Sequence, residues 1–213
     1  MDEGRAWGDA LVSAYIYIEG GGEGADSKDV DIRCREGFRK LLENCGFQKR
    51  MPRLVACGGR DSAFNSFETA LATNLPGNFV ALWIDSEDPL ANLNDAWEHL
   101  QARDNWPKPL GAIDEQVLFM TTCMETWFVA DRAALQEHFK NKLQVAALPP
   151  LQNLENRHRH DVQDRLMHAT RTCSNAYTKG KRSFEILGKL NPVVLAQHLP
   201  SFVRVRRILV ANL

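Results

Sequence analysis

Short apolar runs alternate with amphipathic stretches through the first two thirds of the chain. Leu11 to Ile18 predicts a strand, and Arg35 to Cys45 a helix whose apolar face is Cys34, Phe38, Leu41, Leu42 and Cys45. Met51 to Cys57 predicts a second strand, stopped by Gly58-Gly59, and Asp61 to Asn74 a helix through Phe64, Phe67 and Leu71. Pro76-Gly77 turns the chain into a third strand, Phe79 to Ile84; a helix around Asn92 to Arg103 and a fourth strand, Gln116 to Thr122, follow. Strands that are apolar on both parities and separated by helices imply a parallel sheet covered on both faces. The expected fold class is therefore α/β, with a mostly parallel central sheet of about four strands flanked by helices.

The pattern changes after Asp131. Residues 132–213 show helical segments at 132–142, 158–172, 182–190 and 193–199, with Pro149-Pro150 as a joint and no convincing strand. The expected division is an α/β domain over 1–131 and a helical C-terminal portion over 132–213, packed as one unit. There is no internal repeat or low-complexity tract.

With 213 residues, 44% of them hydrophobic, the chain can bury a substantial core. Twenty-six basic and 27 acidic residues give a net charge of −1, so nucleic-acid binding requires a local basic patch. The apolar run near the N-terminus is broken by Ser13 and ended by Glu19, which fits neither a signal peptide nor a membrane span, so the expected location is cytoplasmic. The five cysteines form no CxxC pair and read as reduced core residues.

Gly20-Gly21-Gly22-Glu23-Gly24-Ala25 follows the first strand and formally satisfies a dinucleotide-binding fingerprint. Two features oppose that reading: the second strand ends Ala56-Cys57-Gly58-Gly59-Arg60 with no ribose-binding acid, and Glu19, Glu23 and Asp26 put negative charge where a pyrophosphate would sit. No Lys-Ser or Lys-Thr follows, which excludes a P-loop. The carboxylates read better as a metal site. Glu19 stands at the carboxyl end of the first strand, and Asp85 and Glu87 stand two residues apart at the end of the third, where an extended chain points both the same way. Neighbouring strands would bring these acids together in the crevice of a doubly wound sheet, and oxygen ligands of this kind suit Mg²⁺ or Mn²⁺. Structural roles compete: Asp88-Pro89 reads as a helix start, Glu23 and Asp26 as solvated loop acids, and Thr122 to Glu125 as a capping box. His158-Arg159-His160 diverges on a helix and, with Arg157, reads as an exposed basic face, and Val203 to Arg207 as a short basic tail.

The blocks IYIEGGG (Ile16–Gly22), RCREGFRKLL (Arg33–Leu42), RLVACGGRDSAF (Arg53–Phe64), IDSEDP (84–89), CMETWFVAD (Cys123–Asp131) and KGKRSFEIL (Lys179–Leu187) resemble the domain-of-unknown-function 4276 family, which is Toprim-like. The resemblance covers roughly residues 13–190. It implies a Toprim-like fold in which Glu19 matches the strand-end glutamate and Asp85-Ser86-Glu87 the acidic pair that together hold Mg²⁺ for phosphodiester chemistry. Toprim nucleases of the overcoming-lysogenization-defect branch carry a second acid four residues after the first; Glu23 sits at that offset, and because the glycine segment is longer here, Asp26 competes with it. By the same resemblance Glu125 is a further metal ligand, and a late lysine, Lys179 rather than Lys181, offsets charge in the transition state. The implied function is a metal-dependent nuclease acting on DNA or RNA beside an ABC-type ATPase in defence against phage. The alternatives are a non-catalytic scaffold subunit that regulates such an ATPase, and a nucleotide-binding domain independent of metal. A homo-oligomer is left open.

Overall fold

The structure, a computed structural model, describes residues 13–22, 27–74 and 76–213, the side chain of Lys181 excepted. Four strands, β1 (Ala14–Ile18), β2 (Arg53–Ala56), β3 (Phe79–Asp85) and β4 (Val117–Met120), form one sheet in the order β2-β1-β3-β4, with every pairing parallel. This is the architecture the hydrophobic pattern predicts. All seven residues of β3 are buried, as a strand covered on both faces requires.

The two parities of β3 serve two cores. Ala81 and Trp83, with Ile16, Ile18 and Met120, pack against Cys34, Phe38, Leu41 and Leu42 of α1 (Ser27–Asn44) and against the C-terminal helices. Val80, Leu82 and Ile84, with Phe119, pack against Phe64 and Phe67 of α2 (Arg60–Ala72) and Trp97 and Leu100 of α3 (Ala96–Asp104). Trp83 meets Phe38 edge-on at 4.8 Å and Trp127 at 6.2 Å, and such pairs add about 0.5–1.5 kcal/mol each to the burial of the rings.

The expected helix around Asn92 to Arg103 begins only at Ala96. Residues 92–95 form a turn instead, in which Asn92 Nδ2 donates to Asp95 Oδ2 (2.6 Å) and Asn94 N to Asn92 Oδ1 (3.0 Å). Asp88 therefore starts no helix; its carboxylate lies 3.3 Å from Arg103 Nε.

Beyond β4 the chain is helical: α4 (Met124–Ala130), α5 (Arg132–Phe139), α6 (Arg159–Thr170), α7 (Lys181–Leu187), α8 (Pro192–His198) and α9 (Pro200–Asn212), linked in part by single turns of 3₁₀ helix. They share the α1-side core. Asp131 is a joint: one carboxylate oxygen accepts from Ala134 N (3.0 Å) to cap α5, the other from Asn191 N (2.8 Å). Gly37 lets α7 lie against α1, because a Cβ there would come within 2.6 Å of Phe184 O. The segment read as a basic tail is the middle of α9. Phe202, Val205, Ile208 and Leu209 bury its inner stripe, and Arg204 is buried with them, donating to Val117 O (2.7 Å) and Asp114 O (2.6 Å). Among the described residues no helix is long and apolar enough to cross a membrane.

Candidate active site

The strand order places the reversal of winding between β1 and β3, since the chain runs out to β2 and then crosses back over β1. Loops leaving two such strands diverge and open a crevice at their carboxyl ends. Glu19 leaves β1 there, its N–H still donating to Trp83 O (2.9 Å), and Asp85 closes β3 beside it. The glycines after Glu19 serve close backbone approach. Gly20 pairs with Gly58 through two hydrogen bonds of 2.9 Å, and a Cβ at Gly21, at φ +120°, would fall 2.3 Å from Asp31 Oδ1. Asp31 also accepts from Gly22 N (3.0 Å), so this loop amide is taken by a carboxylate and is not left to hold a phosphate.

A cleft of about 250 Å³ opens over these strand ends, lined by Glu19, Asp85, Glu125, Lys179, Ser183 and Phe184 among others. Asp85 is its most perturbed group. The residue is 6% exposed, and Oδ1 is buried without a hydrogen-bond partner. Burial, then the charges of Glu19 and Glu125, push its pKa well above the usual carboxylate range, while Lys179 and Arg60 pull the other way without cancelling the rise. Burial and the nearby charges of Glu125 and Asp85 also push the Cys123 thiol up, which keeps it protonated and poor as a nucleophile.

A family model described as Domain of unknown function (DUF4276) matches residues 19–209. The chain belongs to the DUF4276 family. The match runs from Glu19 into α9 and so contains every candidate residue of the cleft. No curated protein and no solved structure matches the chain.

In this DUF4276 chain the structure brings together Glu19, Asp85, Glu125 and Lys179, four of the residues singled out in the sequence. Glu125 forms no capping box: Cys123 is the residue before α4, and Thr122 Oγ1 donates to Arg157 O (3.1 Å). Glu125, 1% exposed, lines the cleft instead, and its Oε1 accepts from Tyr177 Oη (2.5 Å) and its Oε2 from Gln163 Nε2 (3.2 Å).

Glu87 departs from the expectation. The extended conformation ends at Asp85, Ser86 N and Glu87 N turn to Met120 O and Thr122 O, and Glu87 adopts φ +68°. Alternation no longer applies, and its carboxylate does not line the cleft but pairs with Arg103 (3.4 Å) and Arg159. Arg159 thus belongs to an ion pair rather than to a free basic face. Glu23 and Asp26 lie outside the described residues.

Arg60, at the start of α2, is a site residue that strand-end reasoning passed over. Its Nη1 donates to Glu19 Oε2 (3.1 Å) and Asp85 O (2.6 Å), its Nε and Nη2 grip Asp104 (3.0 and 2.7 Å), and its guanidinium lies over Trp106 at 5.1 Å. Burial works against its charge, but Asp104 and Glu19 outweigh that and leave its pKa above the ordinary value. Among the described residues no group of three or more His, Cys, Asp or Glu side chains is gathered closely enough to cage a metal ion. Glu19, Asp85 and Glu125 face one cleft without forming a closed ligand set.

Proposed function

We propose that the cleft binds Mg²⁺ or Mn²⁺ and that the protein is a Toprim-like nuclease cleaving phosphodiester bonds in DNA or RNA. The observation that carries this reading is Asp85, a buried carboxylate with an unpartnered oxygen, at the winding reversal and under the charges of Glu19 and Glu125. A cation there would offset both the burial and the repulsion that raise its pKa. The donors are all hard oxygens, which select Mg²⁺ or Mn²⁺ over softer metals. An open set fits as well: Mg²⁺ keeps several waters and is commonly held by one or two carboxylates together with a substrate phosphate.

Asp85 and Glu125 would hold the ion, with Glu19 joining through the oxygen that Arg60 leaves free. The ion would supply Lewis-acid stabilisation of charge developing on a scissile phosphate. Lys179, at the cleft rim, offsets the same charge from the protein side. Phe184 and Met124 wall the cleft and limit water around the charged groups. Arg60 keeps Glu19 turned toward Asp85.

Incubation with single- and double-stranded DNA and RNA tests the reading. Cleavage should need Mn²⁺ or Mg²⁺, stop with a chelator, and vanish in the Glu19→Ala plus Asp85→Ala double variant while its circular dichroism stays that of the wild type. Cleavage that survives the double substitution refutes the assignment. An ABC-type ATPase partner in phage defence is part of the proposal on the strength of the sequence resemblance, and copurification without an ATPase counts against it. Arg60 on Glu19 favours a second reading, a non-catalytic scaffold subunit in which arginine stands where a cation would. That reading predicts unchanged biological activity in the double variant.

A further inference from the structure

The loop 171–180 joins α6 to α7 and carries Lys179 to the rim of the cleft. Side chains anchor it: Tyr177 N donates to Thr170 Oγ1 (3.0 Å), Arg182 Nη1 to Ala176 O (2.7 Å) and Gly180 N to Ser183 Oγ (3.2 Å). Ser183 Oγ lies 2.9 Å from Tyr177 Oη, which in turn lies 2.5 Å from Glu125 Oε1. All three side chains are nearly or fully buried.

Proton counting orients this chain. An ionised carboxylate can only accept, so the phenol gives its single proton to Glu125 Oε1. Tyr177 Oη is then an acceptor toward Ser183, so the serine hydroxyl must donate to it while accepting from Gly180 N. The result is a one-way relay: Gly180 N–H to Ser183, Ser183 O–H to Tyr177, Tyr177 O–H to Glu125. Each link polarises the next, and the negative charge at the end strengthens all of them.

We propose that Tyr177 and Ser183 are positioning residues that lock the Glu125 carboxylate and the Lys179 loop into one unit, so that neither keeps its place without the other. The relay itself stands on the protein's own hydrogen bonds. Only its consequence for cation binding rests on the function proposed above. Residues that orient a metal-binding carboxylate in this way typically contribute about ten- to hundredfold to metal affinity.

Hydrogen exchange at the Gly180 amide, measured in metal-free wild type, Tyr177→Phe, Ser183→Ala and Glu125→Gln, tests the coupling. Ser183→Ala removes the acceptor of the Gly180 N–H and should raise its rate roughly three- to tenfold; Tyr177→Phe and Glu125→Gln, which break or weaken links further along the relay, should raise it in the same direction although their substituted atoms do not touch Gly180. Tyr177→Phe keeps the ring packed near Phe128 (6.2 Å), and circular dichroism checks that it folds. Mn²⁺ affinity, read from the paramagnetic resonance of free Mn²⁺, should fall about ten- to hundredfold in Tyr177→Phe. An unchanged Gly180 rate in both Tyr177→Phe and Glu125→Gln, or wild-type Mn²⁺ affinity in Tyr177→Phe, overturns the proposal. If the wild type takes no Mn²⁺, the cation reading fails and the Gly180 rate alone decides the coupling.

Discussion

Replacing Asp85 by Asn should make the metal-free protein more stable and the metal-loaded protein less so. Asn has nearly the same shape, so packing at the end of β3 is preserved. It carries no charge, so the cost of burying one, and with it the repulsion from Glu19 and Glu125, disappears, and its amide can donate toward those carboxylates. Relieving strain at a functional site of this kind commonly adds about 0.5–2 kcal/mol. For a chain of this size, 1 kcal/mol moves Tm by about 2–4 °C, so Tm in the presence of a chelator should rise by about 1–8 °C. Mn²⁺ at a hundredfold excess over its dissociation constant should stabilise the wild type by about 2.7 kcal/mol, or about 5–11 °C, and the variant hardly at all. Calorimetric scans with chelator and with Mn²⁺ should therefore show the order of the two proteins reversing. A variant that is less stable than the wild type with chelator, or that gains the same shift from Mn²⁺, refutes the argument that Asp85 is a destabilised cation ligand.

Two further predictions follow from the surroundings. Glu87→Ala should leave Mn²⁺ affinity at the wild-type value while costing about 1–3 kcal/mol in denaturant unfolding, because it strips a buried acid from Arg103 and Arg159; a large loss of affinity would restore Glu87 to the cation site. Glu155, whose carboxylate accepts from Ser201 N, has its pKa pushed up from 4.5 to about 7 by burial, which the Ser201 hydrogen bonds only partly offset. The folded state then holds a proton that the unfolded chain releases, so stability falls as pH rises from about 4.5 to about 7 and the full cost of up to about 3 kcal/mol is present above that window. Glu155→Gln cannot ionise, so the difference between variant and wild type in urea unfolding should grow by about that amount from about pH 4 to about pH 8, and parallel pH profiles would contradict this.

The sheet was legible in the sequence because buried parallel strands are apolar on both parities, and β3 shows this at its six positions from Phe79 to Ile84. Helix α9 was not, because Val203-Arg204-Val205-Arg206-Arg207 alternates with a period of two and masks the helical stripe of Phe202, Val205, Ile208 and Leu209. Nor does composition announce that Arg204 is needed inside, as the donor for the Val117 and Asp114 carbonyls. Within the cleft, Glu19 and Asp85 stood out because each acid interrupts an apolar strand at its end. Glu87 was misplaced because its assignment assumed that the strand continued two residues further. Arg60, Gln163 and Tyr177 owe their roles to partners far away in the chain, as with the separation of 52 positions between Tyr177 and Glu125, and Ser183 owes its role to Tyr177, so no local pattern carries that information. Arg60 gave one local sign, a cation directly after Gly58-Gly59 at a strand end.

The most direct measurement is anomalous scattering from a crystal of the protein soaked in Mn²⁺. An ion should appear in the cleft with Asp85 and Glu125 oxygens at about 2.0–2.3 Å, and waters or Glu19 completing its shell. An empty cleft at saturating Mn²⁺, with Asp85 unmoved and Arg60 still seated on Glu19, would contradict the account.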